Sequence, residues 1–464
     1  ENEFPVTATP LTNASSLKAL DFDAVRALLV GRATRDANRA AFGSLEPGPE
    51  SREAIEALLD RVAVLREMID EGGLRFEGIP EVGDLLETLA VRGSVLDGPE
   101  LALLARFAES SSALGREVEV RLSRAGRGGE RMADEARDLD RSGELGFVAK
   151  VGRAIGPKGE VRDDASPELR RLRARSLRLR EDLDLVFESY LRRPNAEDVL
   201  QDKVVASRNG RSVLMVKAEA KRSFDGVVHG ASRAQKTAFI EPIEAVEVNN
   251  ELVVVSEEEQ EEIRQILRRL SDEARLDLEA LRRADRVLEA WDELHARARL
   301  GRDLNARTPV FSSEGTLRIV RGVHPLLTAR ARADLDLSPA AREPVPLDLE
   351  LDPEHRILVI GGPNTGGKTV ALKTVGLLSL MARCGLPIPA DEGTALPYFA
   401  SVFAEIGDDQ SLGSGLSTFS AQIAGIARMT LTTGASLDAC ARALRKAGAA
   451  AVTGWVAART LLDD

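Results

Sequence analysis

Ile357-Leu-Val-Ile-Gly-Gly-Pro-Asn-Thr-Gly-Gly-Lys-Thr-Val-Ala-Leu-Lys-Thr374 reads as a strand, a glycine-rich loop and a helix in immediate succession. The apolar run Ile357 to Ile360 predicts a buried strand, Gly362 to Thr369 fits G-x-x-x-x-G-K-[ST], and a helical pattern begins at Val370. Without bulk at Gly362, Gly366 and Gly367, a loop completed by Pro363, Asn364 and Thr365 can wrap a triphosphate. Its N–H groups would point at phosphate oxygens beside the positive end of the helix dipole. Lys368 would reach the β- and γ-phosphates, and the Thr369 hydroxyl would hold Mg²⁺. The stretch therefore predicts nucleotide binding; the alternative is a glycine-rich turn that binds nothing.

Downstream, the apolar run Val402 to Ile406 predicts a strand that ends in Gly407-Asp408-Asp409-Gln410-Ser411. Acids and an amide at a strand end, Asp408 and Gln410 among them, are placed to sense a γ-phosphate or its Mg²⁺. Leu416-Ser417-Thr418-Phe419-Ser420 then opens a helix, with Ser417 or Thr418 as a natural N-cap.

Upstream the pattern changes. Leu169, Leu172, Leu179, Leu183 and Val186 form the apolar stripe of a long helix between Asp164 and Arg193, and a second long helical pattern runs from Ile263 to Trp291. Two long helices that go out and come back predict an antiparallel lever whose tip is whatever lies between them. That tip has a β period. Val204 to Arg208 and Ser212 to Val216 flank Asn209-Gly210, a strong hairpin signal, and Val227 to His229 and Thr237 to Ile240 add strands. It is also net basic: Arg208, Arg211, Lys217, Lys221, Arg222, Arg233 and Lys236 make it a candidate clamp on a phosphate backbone. No aromatic residues interleave with these charges, so contact would be independent of base sequence. The acidic run Glu257 to Glu262 suits the N-terminal end of the return helix. Glu1 to Ser16 is expected to fray, Leu17 to about Val118 reads as helical scaffold, and Gly301 to Ser313 reads as a linker.

A formal net charge of −12 over 464 residues excludes whole-surface attraction to nucleic acid, so any such contact must be a local patch. Two cysteines, Cys384 and Cys440, show neither pairing pattern nor metal spacing and predict a reduced, cytoplasmic setting. Four scattered histidines offer no ligand cluster, so a metal site beyond nucleotide Mg²⁺ is not expected. Neither a membrane span nor a signal peptide is read.

Taken together, these pieces resemble the ATPase domain of the MutS family. Gly-Pro-Asn-Thr-Gly-Gly-Lys-Thr at 362–369 is that family's version of the loop, His324-Pro325-Leu326-Leu327 matches the strand entering its domain, and Leu416 to Ser420 matches its signature. Asn209-Gly210-Arg211, Val216-Lys217-Ala218-Glu219 and Phe239-Ile240-Glu241-Pro242 point to the second bacterial branch, MutS-two, over about Leu17 to Arg428. The resemblance implies ATP and Mg as cofactors. It further implies a homodimer on double-stranded or branched DNA, with Ser417 of one subunit completing the ATP site of the other and Lys368, Asp408 and Gln410 serving turnover. A clamp of the same kind could instead grip ribosomal RNA on stalled ribosomes. A structural ATPase of the SMC or ABC type is disfavoured by the β tip and the Pro363-Asn364 pair.

The expected fold is α plus α/β. A helical core spans 1–160, lever helices span 161–300 with a β clamp at about 201–245, and an ABC-type P-loop ATPase domain spans 306–464. That last domain departs from the family at its end: from Leu431 the chain is alanine-rich, and no strand ending in Asp-Glu is recognised. ATP binding is accordingly expected to outlast hydrolysis, and the small nuclease domain of longer members is not found.

Overall fold

A computed structural model describes residues 11–74, 76–125, 130–232, 235–339, 343–355, 357–361, 367–406 and 455–460. The chain opens with helices α1 (Ala14–Ala19), α2 (Phe22–Val30), α3 (Asp36–Gly43), α4 (Arg52–Asp70), α5 (Gly83–Ala90), α6 (Gly98–Ala125), α7 (Glu130–Ser142), α8 (Gly146–Ala154), α9 (Pro167–Leu191) and α10 (Ala196–Val199). Strands β1 (Leu200–Arg208), β2 (Arg211–Lys217), β3 (Gly226–Ala231) and β4 (Thr237–Pro242) follow, then α11 (Ile243–Leu276) and α12 (Leu278–Asp303). The remainder is β5 (Val310–Ser312), β6 (Leu317–Gly322), α13 (Ala329–Asp334), β7 (Leu347–Leu351), α14 (Lys368–Arg383), β8 (Ala395–Pro397), β9 (Phe399–Glu405) and β10 (Trp455–Thr460). Two compact units result: Glu1–Gly78, Leu114–Arg137 and Arg286–Asp464 form one, and Ile79–Ala113 with Asp138–Asp285 the other.

In the first unit, helices from the start of the chain share one apolar core with the sheet β5-β8-β6-β7 and with α14. Leu17, Leu20, Phe22 and Val25 meet Leu377, Leu378, Met381 and Val402 there. Gly376 permits a close approach of α14 to α1, because a Cβ at that position would stand 2.6 Å from a Leu20 methyl. The expectation that Glu1 to Ser16 frays does not hold for the described part. Asn13 caps α1 by accepting from the Ser16 N–H at 2.7 Å, Ser16 Oγ accepts from the Ala404 N–H at 2.9 Å, and the Leu11 carbonyl accepts from the Val402 N–H at 2.8 Å. These backbone bonds to β9 order a polar segment that has little apolar surface of its own. Asp292, fully buried, accepts from the N–H groups of Thr34 and Arg35, the Thr34 hydroxyl and the Asn38 amide, and so ties α12 to the start of α3. The predicted linker at 301–313 is instead the end of α12, a buried Ala306 and β5.

In the second unit, α9 starts where Ser166 accepts from the Leu169 N–H at 3.0 Å and Pro167 occupies the first turn, a favourable combination of cap and fixed φ. Its stripe of Leu172 and Leu179 packs on Val255 of α11. Pairs Ser166–Glu262, Arg173–Glu259 and Tyr190–Glu244 run in opposite order along the two helices, which are therefore antiparallel. The return helix begins at Ile243, about four turns before Glu257, so the acidic run Glu257 to Glu262 lies in mid-helix and does not serve a helix N-terminus. Its glutamates answer arginines: Glu259 pairs with Arg173 at 2.9 Å, and Glu261 with Arg264 at 2.7 Å.

The antiparallel sheet β1-β2-β4-β3 closes the far end of this helix pair. Asn209 and Gly210, both at positive φ (50° and 77°), make the predicted tight turn between β1 and β2. Leu214, Val216, Ala238 and Ile240 on one face share a core with Leu183, Phe187 and Tyr190 of α9 and Ala245 of α11. Leu214, Val216 and Ile240 each contribute about 1.5–3 kcal/mol relative to exposure, which fixes the register of the sheet on the helices.

Candidate nucleotide and nucleic-acid sites

α14 begins at Lys368, one residue before the Thr369 of the phosphate-loop pattern. Its N-cap, Gly367, has φ 81° and ψ 9°, a left-handed conformation that glycine adopts without strain. Among the described residues, a Cβ built at Gly367 or Gly361 would meet nothing within 4 Å. Lys368 is half-buried, while Gly367, Thr369 and Val370 are exposed. The first turn of an α-helix has N–H groups with no intrahelical partner, so this terminus can receive an anion. The other end is held: from Leu377 to Arg383 every residue is buried. Gly362, Pro363, Asn364, Thr365 and Gly366 lie outside the described residues, as do Asp408, Gln410 and Ser417.

The strand predicted at Ile357 to Ile360 is not formed. These residues have no regular structure, and Ile357, Leu358 and Val359 are 48%, 46% and 74% exposed. An apolar run becomes a strand only where neighbours complete its hydrogen bonds and cover it, and no described strand pairs with this one. β9, by contrast, appears where a strand was predicted, starting three residues earlier at Phe399.

His324-Pro325-Leu326-Leu327 is a turn of 3₁₀ helix and not a strand, because Pro325 removes a donor and His324 Nδ1 accepts from the Leu326 N–H at 3.3 Å. Burial, opposed by Asp21, lowers the His324 imidazole to about 4, so the ring is neutral and its 3.9 Å approach to Asp21 is not an ion pair. The ion pair is between Asp21 and Lys373 of α14, at 2.8 Å. Asp21, at the cap of α2, thus anchors α14 one turn beyond its open end. Sequence reasoning missed this residue, since a lone aspartate before a helix carries no distinguishing pattern.

Residues 358–437 match the family model of MutS domain V. The chain is 37% identical over 421 residues to a protein of Gemmatimonas aurantiaca named Endonuclease MutS2, covering 89% of this chain and 49% of the relative. Proteins of the same name from Geobacillus thermodenitrificans and Agathobacter rectalis are 37% and 34% identical over 88% and 90% of this chain, and 50% of each relative. The chain belongs to the MutS family, in its MutS2 branch. It spans about half the length of the MutS2 relatives it matches. The domain V match ends at residue 437, six residues beyond Leu431, where a departure from the family pattern is expected from the sequence.

The basic tip of this MutS2 chain divides into spent and available charge. Arg211 donates to both oxygens of Glu241, at 2.9 and 3.2 Å, and also to Asn250. Glu241 is 1% exposed and further receives Asn249 Nδ2 at 2.8 Å and His229 Nε2 at 2.6 Å. Lys217 donates to the Glu197 carbonyl at 2.7 Å, and Arg208 lies 4.2 Å over the ring of Phe239. Lys221 and Arg222, on the 3₁₀ turn Ala218–Ser223, and Lys236 are exposed and make no ion pair among the described residues. Arg233 lies outside them.

Among the described residues no group of three His, Cys, Asp or Glu side chains could hold a metal ion. No described helix is long and apolar enough to cross a membrane. Cys384 is buried, and burial pushes its thiol up to about 12, which leaves it inert; Cys440 is outside the described residues.

Proposed function

We propose that this chain binds Mg·ATP at the start of α14 and grips DNA with the β1–β4 sheet, as a homodimeric, ATP-gated clamp on branched or recombining DNA. The observation that carries this reading is the open first turn of α14, with Gly367 left-handed and Lys368 and Thr369 leading, inside the stretch that matches MutS domain V. In it, Lys368 holds the β- and γ-phosphates, Thr369 orients Mg²⁺, and the loop 362–367 supplies backbone N–H groups. Bound ATP supplies negative charge that a second helix terminus can share, so Ser417 of a second copy completes each site and closure couples to nucleotide. Asp408 and Gln410 follow β9 and act on the γ-phosphate side. On the sheet, Lys221, Arg222 and Lys236 neutralise backbone phosphates without reading bases.

Calorimetry with Mg·ATP on the wild type and Lys368→Ala tests the nucleotide half: heat of association is expected from the first and should largely vanish in the second. Equal heats would refute it. Light scattering with and without ATP and a four-way junction tests the other half, the expected result being a dimer that forms with both. Cosedimentation with ribosomes in the absence of junction binding would instead move the target to ribosomal RNA.

A further inference from the structure

The first unit contains a cavity of about 380 Å³ between the end of α4 and one face of α12, apart from the start of α14. His295, Arg299 and Arg302 line it from α12 at a spacing of four and three residues, which puts them on one helix face. Ile69 and Leu74 form an apolar wall, and among the described residues Glu77 is the one acid that lines it.

The arginines are underused. Arg299 approaches Glu77 only to 3.6 Å, and Arg302 approaches Asp303 only to 3.6 Å, while Asp303 is already engaged by Arg32 at 2.8 and 3.0 Å. Neither guanidinium donates a hydrogen bond among the described residues. His295 is 4% exposed, its Nδ1 has no partner, and Phe76 stacks on its ring at 4.4 Å. Burial, reinforced by Arg299 and Arg302, lowers this imidazole to about 4 and keeps it neutral, so the positive charge facing the cavity is that of the two guanidiniums. On a protein of net charge −12, two guanidiniums without a hydrogen bond among the described residues and an orphaned imidazole nitrogen around one cavity point to an anionic ligand.

We propose that this cavity binds a small organic phosphate monoester. Two guanidinium forks suit a tetrahedral dianion with three acceptor oxygens better than a single carboxylate, which one fork saturates. The volume exceeds what a bare phosphate fills, and the wall of Ile69 and Leu74 receives the organic part.

Titration calorimetry on Lys368→Ala, so that the start of α14 does not contribute, would use ribose 5-phosphate, inorganic phosphate and succinate as probes. Ribose 5-phosphate is expected to bind, inorganic phosphate to bind more weakly, and Arg302→Gln to weaken ribose 5-phosphate about tenfold or more. Arg302 is 45% exposed, so that variant should fold as the parent does; Arg302→Lys, which keeps the charge and loses the fork, should recover only part of the loss. No heat from ribose 5-phosphate, or unchanged affinity in Arg302→Gln, overturns the site. Succinate binding as tightly as ribose 5-phosphate overturns the assignment to phosphate. Neither result bears on ATP binding at α14, which the wild-type comparison with Lys368→Ala reads separately.

Discussion

The phosphate-loop region and the β1–β4 tip were both read from sequence as places where phosphate binds, and they differ in what such a reading requires. A glycine loop before a helix uses backbone N–H groups and a dipole, which are set by the backbone itself, so pattern alone predicts a helix starting beside the loop, as α14 does at Lys368. A count of basic residues predicts nothing until internal partners are subtracted. Arg211 is paired with the buried Glu241 carboxylate, Lys217 and Arg208 keep their charge but are tied to the Glu197 carbonyl and the Phe239 ring, and Lys221, Arg222 and Lys236 make no ion pair among the described residues. Charge that builds the sheet is not charge offered to a ligand.

The largest effect that would sharpen this contrast is at Glu241. Its carboxylate is the shared acceptor for Arg211, Asn249 and His229, and Glu241→Ala leaves those donors without it in a buried place, a loss of about 3–5 kcal/mol. Hydrogen exchange should show the amides of β2 and β4 exposed in the variant while those of α14 keep their protection. Equal protection of β2 and β4 in both proteins would make Glu241 a bystander.

The next effect concerns how α14 is held. His324 is lowered to about 4 in the folded chain against 6.5 unfolded, so between those values the unfolded state binds more protons and stability rises with pH. The stabilisation is complete above about 6.5 and is lost as pH falls toward 4, on the order of 3 kcal/mol for this ring. The groups facing it are Asp21, which opposes the shift, and Lys373, which adds to it. Urea midpoints measured from pH 4 to 7 should slope less steeply in His324→Gln than in the wild type; identical slopes would mean the ring is solvated. Lys368→Ala, by comparison, removes one charge-assisted contact to phosphate and should weaken Mg·ATP by about 2 kcal/mol, near thirtyfold.

What the sequence made legible follows the same division. A helix face such as the Leu169, Leu172, Leu179 stripe and the Asn209-Gly210 turn are local, and they form where predicted. Ile357 to Ile360 depends on partners elsewhere in the chain, and an apolar run cannot name them. Glu257 to Glu262 looked like a helix start because its five acids suit the positive end of a helix dipole; the pairing of Glu259 with Arg173 on α9 is a tertiary fact. Asp21 and Asp292 were invisible for a related reason. Each is one acid among 75, and only the fold shows that one anchors Lys373 and the other caps α3.

The smallest expected effect is also the most direct test of spent against available charge. Lys236→Gln removes an exposed ammonium with no described partner, so junction-DNA affinity should fall by about 1 kcal/mol and the slope of log K against log salt should shrink by about 1. Lys217→Gln removes the same formal charge from a side chain already bonded to Glu197, and an exchange of that internal bond for water should leave the salt slope within error of the wild type. Gel shifts at several salt concentrations separate the two. Equal slopes in both variants would show that the sheet meets DNA through its whole charge and that internal hydrogen bonds of this kind give way on binding.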